Sequence, residues 1–219
     1  AQKSRLKIPL IIGIDAIHGN GMVAGTTVYP SPISLASTFD EKIAYQIGKE
    51  TAIEVRAHGS HWSFTPNIDV LRDPRWGRVG ETFGEDPLLV SNMGSSMIKG
   101  LQETNNVIAC AKHFIAGSEP VNGLNASPMD ISDRNMREIY LKPFKMAVES
   151  GVYSVMAAHN ELNGIPCHMN KYLMTDILRE ELQFKGFIVS DWMDIERIHT
   201  LHKIAENTKD ASFLSVDAG

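Results

Sequence analysis

Short apolar runs alternating with helix-like segments limit what this chain can fold into more than any other feature. Seven runs of four to seven residues are mostly continuous rather than alternating: 9–14, 33–36, 62–68, 107–113, 153–158, 187–190 and 213–216. Continuous apolar runs are expected of parallel strands that are covered on both faces. The pattern therefore predicts seven strands in a parallel α/β architecture.

The segments between the runs carry helix start and stop signals. Each predicted helix follows a residue type that caps helix N-termini, namely Asp40, Asp86, Ser132 and Asn170. The helices are predicted to end at or before Gly59, Gly100, Gly151 and Gly186. Pro143 falls inside the third helix and must kink it or begin its second half.

Two architectures are common for parallel α/β chains, a doubly wound sheet and a (β/α)8 barrel. No G-x-G-x-x-G follows any predicted strand, which removes the best signal for a dinucleotide-binding fold. Polar residues follow the strands instead: Asp15 and His18, the segment 72–85, Lys112 and His113, His159 and Asn160, and Asp191. Barrels collect function at the carboxyl ends of their strands. We therefore predict a (β/α)8 barrel.

Seven strands do not close an eight-stranded barrel. We expect residues 1–219 to form a single partial catalytic barrel domain, with the first strand and the closing helix outside the chain. An N-terminal leader is not expected from the opening residues, which have no h-region.

Composition excludes several classes of function. The net charge is −5 and no basic block occurs, so we do not expect a nucleic-acid partner. No run reaches the roughly 18 apolar residues that would span a membrane. Asp15 and His18 are wrongly spaced for a helical metal pair, and we expect neither a metal nor another cofactor. A neutral or weakly polar substrate fits this balance best.

Asp191 is the strand-end residue with the clearest chemical potential. A carboxylate is costly to bury unless it is paired, hydrogen-bonded or facing a cavity. It either caps the next helix or serves as a nucleophile held at the floor of a pocket, as in retaining glycosidases. Trp192 beside it offers an apolar face for a sugar ring. Lys112 and His113 are either a surface lysine and a core histidine, or two donors to sugar hydroxyls.

Five ordered motifs together carry a resemblance to a known family. They are GIDAIHG, RDPRWGR followed by E-x-F-G-E-D-P, AKHF, VMAAHNELNG and GF-x-VSDW, and they run over nearly the whole chain. In this order and spacing they resemble the N-terminal barrel of glycoside hydrolase family 3, closest in character to its β-glucosidases and β-xylosidases.

The resemblance implies roles for particular positions. Asp191 matches the catalytic nucleophile. Substrate-binding roles are implied for Asp15, Arg78, Lys112 and His113 in the −1 subsite, for Trp192 near the aglycone side, and for Met156 at the pocket wall or below it. His159 stands where many members have tyrosine, so its contact is either with the nucleophile or with the sugar.

Two further departures from the family pattern bear on mechanism. The loop after AKHF has no D-S-H element, which argues against the N-acetylglucosaminidase branch. In the glucosidase branch the general acid is a glutamate of a following α/β sandwich domain. None of Glu81, Glu85, Glu119 and Glu161 matches its position. We expect that acid from a C-terminal domain absent from this chain.

These observations predict a retaining exo-acting β-glycoside hydrolase, with β-glucosides favoured over β-xylosides and an Asp nucleophile that forms a glycosyl-enzyme. A non-catalytic sugar-binding or degenerate homologue of the same barrel is the alternative. An unrelated barrel acting on phosphorylated sugars is disfavoured, because acids rather than glycines follow the last strands. The resemblance favours a periplasmic or secreted location.

Overall fold

The computed structural model describes residues 5–104 and 106–219, so positions 1–4 and 105 of the predicted domain lie outside it. The strands are β1 (Gly13–Ile14), β2 (Trp62–Ser63), β3 (Cys110–Phe114), β4 (Ser154–Ala157), β5 (Glu161–Leu162), β6 (Ile165–Pro166) and β7 (Phe187–Val189). The α-helices are α1 (Pro32–Ala36), α2 (Glu41–Ala57), α3 (Pro87–Gln102), α4 (Asp133–Asn135), α5 (Leu141–Glu149), α6 (Asp194–Thr200) and α7 (Thr208–Ala218). Two π-helical segments, Met136–Tyr140 and Tyr172–Glu181, and three 3₁₀ turns, Val79–Glu81, Val121–Gly123 and Cys167–Met169, complete the helical structure. Within these residues no helix has the length and apolar character needed to cross a bilayer.

Five strands form a continuous parallel arc in chain order. Strand β1 pairs with β2, and the sheet β3-β4-β7 follows. Parallel bridges from Trp62 to Ile108 and from Asn67 to Lys112 join the two groups. Helices α2 and α3, the Met136–Glu149 helix and the Tyr172–Glu181 helix each connect successive strands of this arc. The prediction of a barrel-type parallel α/β fold is confirmed, and the carboxyl ends of the five strands meet at one edge.

Two of the seven predicted strands are wrong. Residues 33–36 lie in α1, where Pro32 occupies the first turn after Ser31. Residues 213–216 lie in α7, whose N-cap Asn207 accepts a hydrogen bond from the backbone N–H of Asp210. Apolar runs of four residues do not distinguish strand from helix by their periodicity, so the capping residues decide.

The predicted helix starts are confirmed. Asp40, Asp86, Ser132 and Asn170 each accept a hydrogen bond from a backbone N–H of the first helical turn. The third helix does not remain regular around Pro143, and its π-helical segment Met136–Tyr140 precedes α5. A wider turn accommodates a proline that lacks an N–H and crowds the carbonyl four residues earlier.

The outer helices α2 and α3 approach closely because glycines lie at their contact. A Cβ atom at Gly100 would stand 2.1 Å from the Tyr45 carbonyl oxygen, and one at Gly48 would stand 2.6 Å from the Met97 carbonyl oxygen. The apolar faces of α2, α3 and α5 belong to one buried cluster with residues of β3 and β4.

Candidate active site

A cavity of about 850 Å³ opens at the carboxyl ends of the strands. All eight residues that the sequence analysis assigned to a site line it: Asp15, Arg78, Lys112, His113, Met156, His159, Asp191 and Trp192. They lie on or after β1, β2, β3, β4 and β7, which places side chains distant in sequence around one space. The structure thus brings the predicted residues together, while their individual roles stay predictions.

Asp191 follows β7 directly and is held by several donors. Its Oδ1 accepts a 2.6 Å hydrogen bond from the backbone N–H of Trp192, and its Oδ2 lies 2.9 Å from Nε2 of His159. Burial alone would raise the pKa of this carboxyl, but the hydrogen bond from His159, the charge of that ring and the Trp192 N–H hold it well below its usual range. Asp191 is therefore ionised and fixed in orientation, as a nucleophile requires.

His159 lies between two carboxylates at the end of β4. Its Nδ1 is 2.7 Å from Oδ2 of Asp194, on the other side of the ring from Asp191. Burial alone would lower the pKa of His159, but the hydrogen bonds to Asp191 and Asp194 outweigh it and raise this pKa to about 9. Arg197 donates to Oδ1 of Asp194 at 2.6 Å. Both ring nitrogens are thus engaged by protein carboxylates, which favours contact with Asp191 over contact with a sugar.

His113 is paired with Asp69 and lies next to the same Asp191 oxygen. Its Nδ1 lies 2.8 Å from Oδ2 of buried Asp69, and its Nε2 lies 3.5 Å from Oδ2 of Asp191. Burial lowers the pKa of His113, and Asp69 offsets this only in part. A neutral ring that donates from Nδ1 to Asp69 presents an acceptor nitrogen to the pocket. This Nε2 has no hydrogen-bond partner among the described residues, so it can accept from a substrate hydroxyl.

The backbone of Asp191 is held by a third histidine. Its N–H donates to Nε2 of His168 at 3.0 Å. Burial lowers the pKa of His168 to about 4, despite the nearby Asp194 and Asp191. His168 is therefore neutral at ordinary pH, and its Nε2 carries the lone pair that accepts this hydrogen bond.

Lys112 and Asp15 form an ion pair that lines the cavity. The Lys112 ammonium group donates to Oδ1 of Asp15 at 3.1 Å, and the lysine side chain is only 3% exposed whereas that of Asp15 is 51% exposed. The ladder between β3 and β4 shifts register between Lys112 and Phe114. Such an irregularity re-aims side chains, and both Lys112 and His113 face the pocket.

Arg78 lines the cavity as a planar, oriented donor. Its Nε and one terminal nitrogen contact the two oxygens of Glu81 at 3.0 and 2.8 Å, a bidentate pair. Burial by itself would lower the pKa of Arg78, yet Glu81 raises it overall, so the guanidinium stays charged. The two-point contact fixes the guanidinium plane and leaves its other edge for a ligand.

Apolar side chains contribute to the wall and the rim of the cavity. Met156 of β4 is buried and lines the wall, as expected. Trp192 is 77% exposed at the rim, where its ring can pack against a bound sugar. The backbone of Met193 adopts a left-handed conformation with φ of 60° and begins α6, which also brings Glu196 to the rim.

Sequence reasoning missed Asp69, Asp194 and His168. Asp69 comes directly after the apolar run 62–68, so its strand-end position was a usable signal. Asp194 and His168 carry no such signal. His18, by contrast, is a polar residue of the β1 loop that contacts the carbonyl oxygen of Tyr29, and it is not among the pocket-lining residues.

Of the four carboxylates considered for an acid role, only Glu81 reaches the cavity, and Arg78 pairs with it. Glu119 accepts a hydrogen bond from the Tyr140 hydroxyl, and Glu161 lies 3.2 Å from Nδ1 of His202. Glu85 is exposed and outside the lining residues. The structure therefore places none of them opposite Asp191 as a free acid.

One group of potential metal-ligand atoms occurs in the described part of the chain. It comprises His159, Asp191 and Asp194, whose oxygen and nitrogen atoms lie within 4.8 Å of one another. Both imidazole nitrogens point at carboxylate oxygens within hydrogen-bond distance. Protons shared with the carboxylates satisfy all three groups, so this geometry is that of an ion-pair network.

Comparison with known proteins gives a consistent result. The model for the glycosyl hydrolase family 3 N-terminal domain matches residues 1–219. A β-xylosidase of Formosa agariphila is 47% identical, over 98% of this chain and 32% of its own length. A periplasmic β-glucosidase of Salmonella typhimurium is 37% identical, over 99% of this chain and 28% of its own length. The chain thus spans less than a third of the length of the curated relatives it matches.

Solved structures agree with these sequence relatives. The β-glucosidase of Listeria innocua in complex with isofagomine superposes with a TM-score of 0.94 at 38% identity, over 100% of this chain and 31% of that chain. The same Listeria enzyme has also been solved in complex with glucose.

Proposed function

The chain belongs to glycosyl hydrolase family 3, and on that premise we propose that it is the barrel domain of a retaining exo-acting β-glycosidase with Asp191 as its nucleophile. The observation that carries this proposal is the fixed, ionised carboxylate of Asp191 at the floor of a donor-lined cavity. Longer relatives named β-xylosidase and β-glucosidase support the reaction class. The Listeria complexes with isofagomine and glucose support a monosaccharide subsite.

In the proposed reaction Asp191 attacks the anomeric carbon of a β-glycoside. The new carboxylate–C1 bond forms as the bond from C1 to the leaving oxygen breaks, and its electron pair passes to that oxygen. Water then attacks C1 of the glycosyl-enzyme ester and releases the sugar with retained configuration. Lys112, Arg78, Asp15 and His113 would hold sugar hydroxyls during both steps, and Trp192 would pack on the aglycone side.

We place the general acid outside this chain, in a C-terminal domain of the same polypeptide. Asp15 and Glu81 line the cavity and are each paired with a cation, and buried Asp194 is paired with Arg197, so none of the three is a free acid. Glu196 is exposed at the rim of the cavity and is the alternative candidate for the general acid within this chain. General acid assistance is worth about 10²–10⁴-fold. A Glu196→Gln variant of the full-length protein that kept its rate on poor leaving groups would agree with this placement, whereas a loss confined to poor leaving groups would contradict it.

The proposed nucleophile is tested by trapping the intermediate. The full-length natural protein is incubated with 2,4-dinitrophenyl 2-deoxy-2-fluoro-β-glucoside, or with the corresponding xyloside, and its intact mass is measured. The dinitrophenolate leaves without an acid, so the assay reports the nucleophile alone. We expect one glycosyl adduct on the Asp191 peptide, none in Asp191→Asn, and an unchanged adduct in the exposed control Asp130→Asn.

The relative rates of the two reagents distinguish glucose from xylose, with the glucoside expected to react faster. A folded wild-type protein that binds glucose but gives no adduct with either reagent would favour the second candidate, a sugar-binding or degenerate barrel. That candidate rests on the absence of a free acid opposite Asp191 among the described residues.

A further inference from the structure

His159 occupies an unusual position in the cavity. Its Nε2 lies 2.9 Å from Oδ2 of Asp191, its Nδ1 lies 2.7 Å from Oδ2 of Asp194, and its side chain is only 16% exposed. Asp194 is itself 3% exposed and receives a 2.6 Å hydrogen bond from Arg197. A buried carboxylate therefore holds the far side of the ring while the near side meets the nucleophile.

This geometry requires a particular protonation state. A neutral imidazole has one N–H donor and one lone pair, whereas an imidazolium has two donors. Both contacts of His159 are to carboxylate oxygens, which only accept. A neutral ring would therefore direct a lone pair at Asp191 or at Asp194, within 3 Å of a negative oxygen. The imidazolium satisfies both sides.

The charges that face His159 come from several elements. Asp191 follows β7, Asp194 and Arg197 lie on α6, and His113 lies on β3 with its ring centroid 6.1 Å away. His168 of the Cys167–Met169 turn stands 3.7 Å from the same Asp194 oxygen that His159 contacts. One guanidinium nitrogen of Arg197 is 3.5 Å from Nδ1 of His159. The two carboxylates in direct contact outweigh these more distant groups.

We propose that His159, held as an imidazolium between Asp191 and Asp194, is a positioning residue that keeps the nucleophile oriented for attack, and that this orientation is lost when the ring gives up its proton. The inference rests on the proposed function of Asp191. At a position where many members of the family have tyrosine, this chain instead has a charged imidazole ring that Asp194 holds in place. The raised pKa of His159, about 9, agrees with this geometry. The ring is then charged through neutral pH and loses its proton only in alkaline solution.

The test measures how the rate of adduct formation by the dinitrophenyl fluoro-glucoside depends on pH. This reagent needs no general acid, so an alkaline fall in rate does not report the acid. In the full-length wild-type protein we expect the rate to fall above about pH 9. His159→Gln, which keeps an amide donor but cannot titrate, should react about 10–100-fold more slowly and show no fall, since misplacement of a reacting group by 1 Å costs about 10²-fold.

The Asp194→Asn variant removes one of the two carboxylates that stabilise the imidazolium. Its alkaline fall should begin at least one pH unit lower than in wild type. His58→Gln removes an exposed histidine at the end of α2 and serves as the matched control, with a wild-type profile expected. If His159→Gln does not fold, His159→Tyr replaces it; a tyrosine hydroxyl beside a carboxylate keeps its proton to about pH 10 or above, so the alkaline fall should move to higher pH than in wild type. A fall that persists at the wild-type pH in the His159 variant or in Asp194→Asn would overturn the inference.

A second readout separates this inference from the proposed function. Imidazole NMR of the full-length protein should show His159 titrating near pH 9 in wild type and at lower pH in Asp194→Asn. A wild-type titration near pH 6.5 would overturn the inference whether or not an adduct forms. If His159 titrates near pH 9 but Asp191 forms no adduct, the proposed function fails, and the positioning role fails with it.

Discussion

The Asp69–His113 pair offers the sharpest test of how the cavity is organised. Asp69 is buried, its Oδ2 accepts from Nδ1 of His113 at 2.8 Å, and its Oδ1 accepts from the His113 backbone N–H at 3.3 Å. In Asp69→Asn one of the two oxygens becomes an NH₂ group. If the NH₂ group faces the backbone N–H of His113, two donors oppose each other. If it faces Nδ1 of His113, that nitrogen must accept, and the ring proton moves to Nε2.

The size of the effect follows from these two outcomes. A buried donor left unsatisfied costs about 1–3 kcal/mol. At about 1.4 kcal/mol per tenfold in rate, stabilising the wrong tautomer by this amount predicts a loss of about 5–150-fold. We expect the loss in kcat/KM, because His113 then faces the pocket with a donor instead of an acceptor, and its contacts with the substrate and Asp191 both change.

The assay is steady-state hydrolysis of 2,4-dinitrophenyl β-glucoside by the full-length protein, with thermal unfolding measured in parallel. Asp130→Asn is the control, because Asp130 is an exposed aspartate away from the cavity. A wild-type kcat/KM for Asp69→Asn would refute the argument that Asp69 selects the tautomer of His113. Equal losses in Asp69→Asn and Asp130→Asn would do the same.

Three other expectations concern neighbouring features. Glu81→Gln weakens the two-point contact that orients Arg78, so KM should rise about 2–10-fold, the equivalent of about 0.5–1.5 kcal/mol, with a smaller change in kcat. Gly100→Ala should lower the free energy of unfolding by about 1–2 kcal/mol in urea titrations, because the clash with the Tyr45 carbonyl exceeds the gain in helix propensity; an unchanged stability would contradict the tight contact. The unfolded chain should take up a proton at His168 from about pH 6.5 downward while the folded chain resists until about pH 4. Stability should therefore fall on the order of 3 kcal/mol across that range, and His168→Gln should flatten this slope in urea titrations at each pH.

The sequence allowed the parallel arc to be predicted because its strands are continuous apolar runs separated by well-capped helices. Its two wrong strands, 33–36 and 213–216, are both four residues long, but so is the run 187–190, which does form β7. Run length alone therefore did not separate strand from helix, and the helix-start residues Pro32 and Asn207 were the better guide.

The residues of the candidate site could likewise be predicted only in part. Asp191, Lys112 and His113 could be proposed because each stands at a strand end within an ordered motif. The pairing of His113 with Asp69 and of His159 with Asp194 could not be predicted, since the partners lie 44 and 35 residues apart. These pairs exist because the parallel arc brings neighbouring strand ends together. The charge states of His113 and His159, opposite for similar residues, likewise depend on burial and on how many carboxylates each ring meets.

The parallel ladder from β3 through β4 to β7 has a consequence for how this molecule tolerates change. Because each functional side chain is placed by the hydrogen-bonded register of its strand, the helices between strands can lengthen or shorten without moving the cavity. A slip of β4 by a single residue, in contrast, would exchange its inward and outward faces and carry Met156 and the start of the His159 loop out of the site. Insertions between α5 and β4 should thus be tolerated, whereas a one-residue deletion within β4 should abolish function.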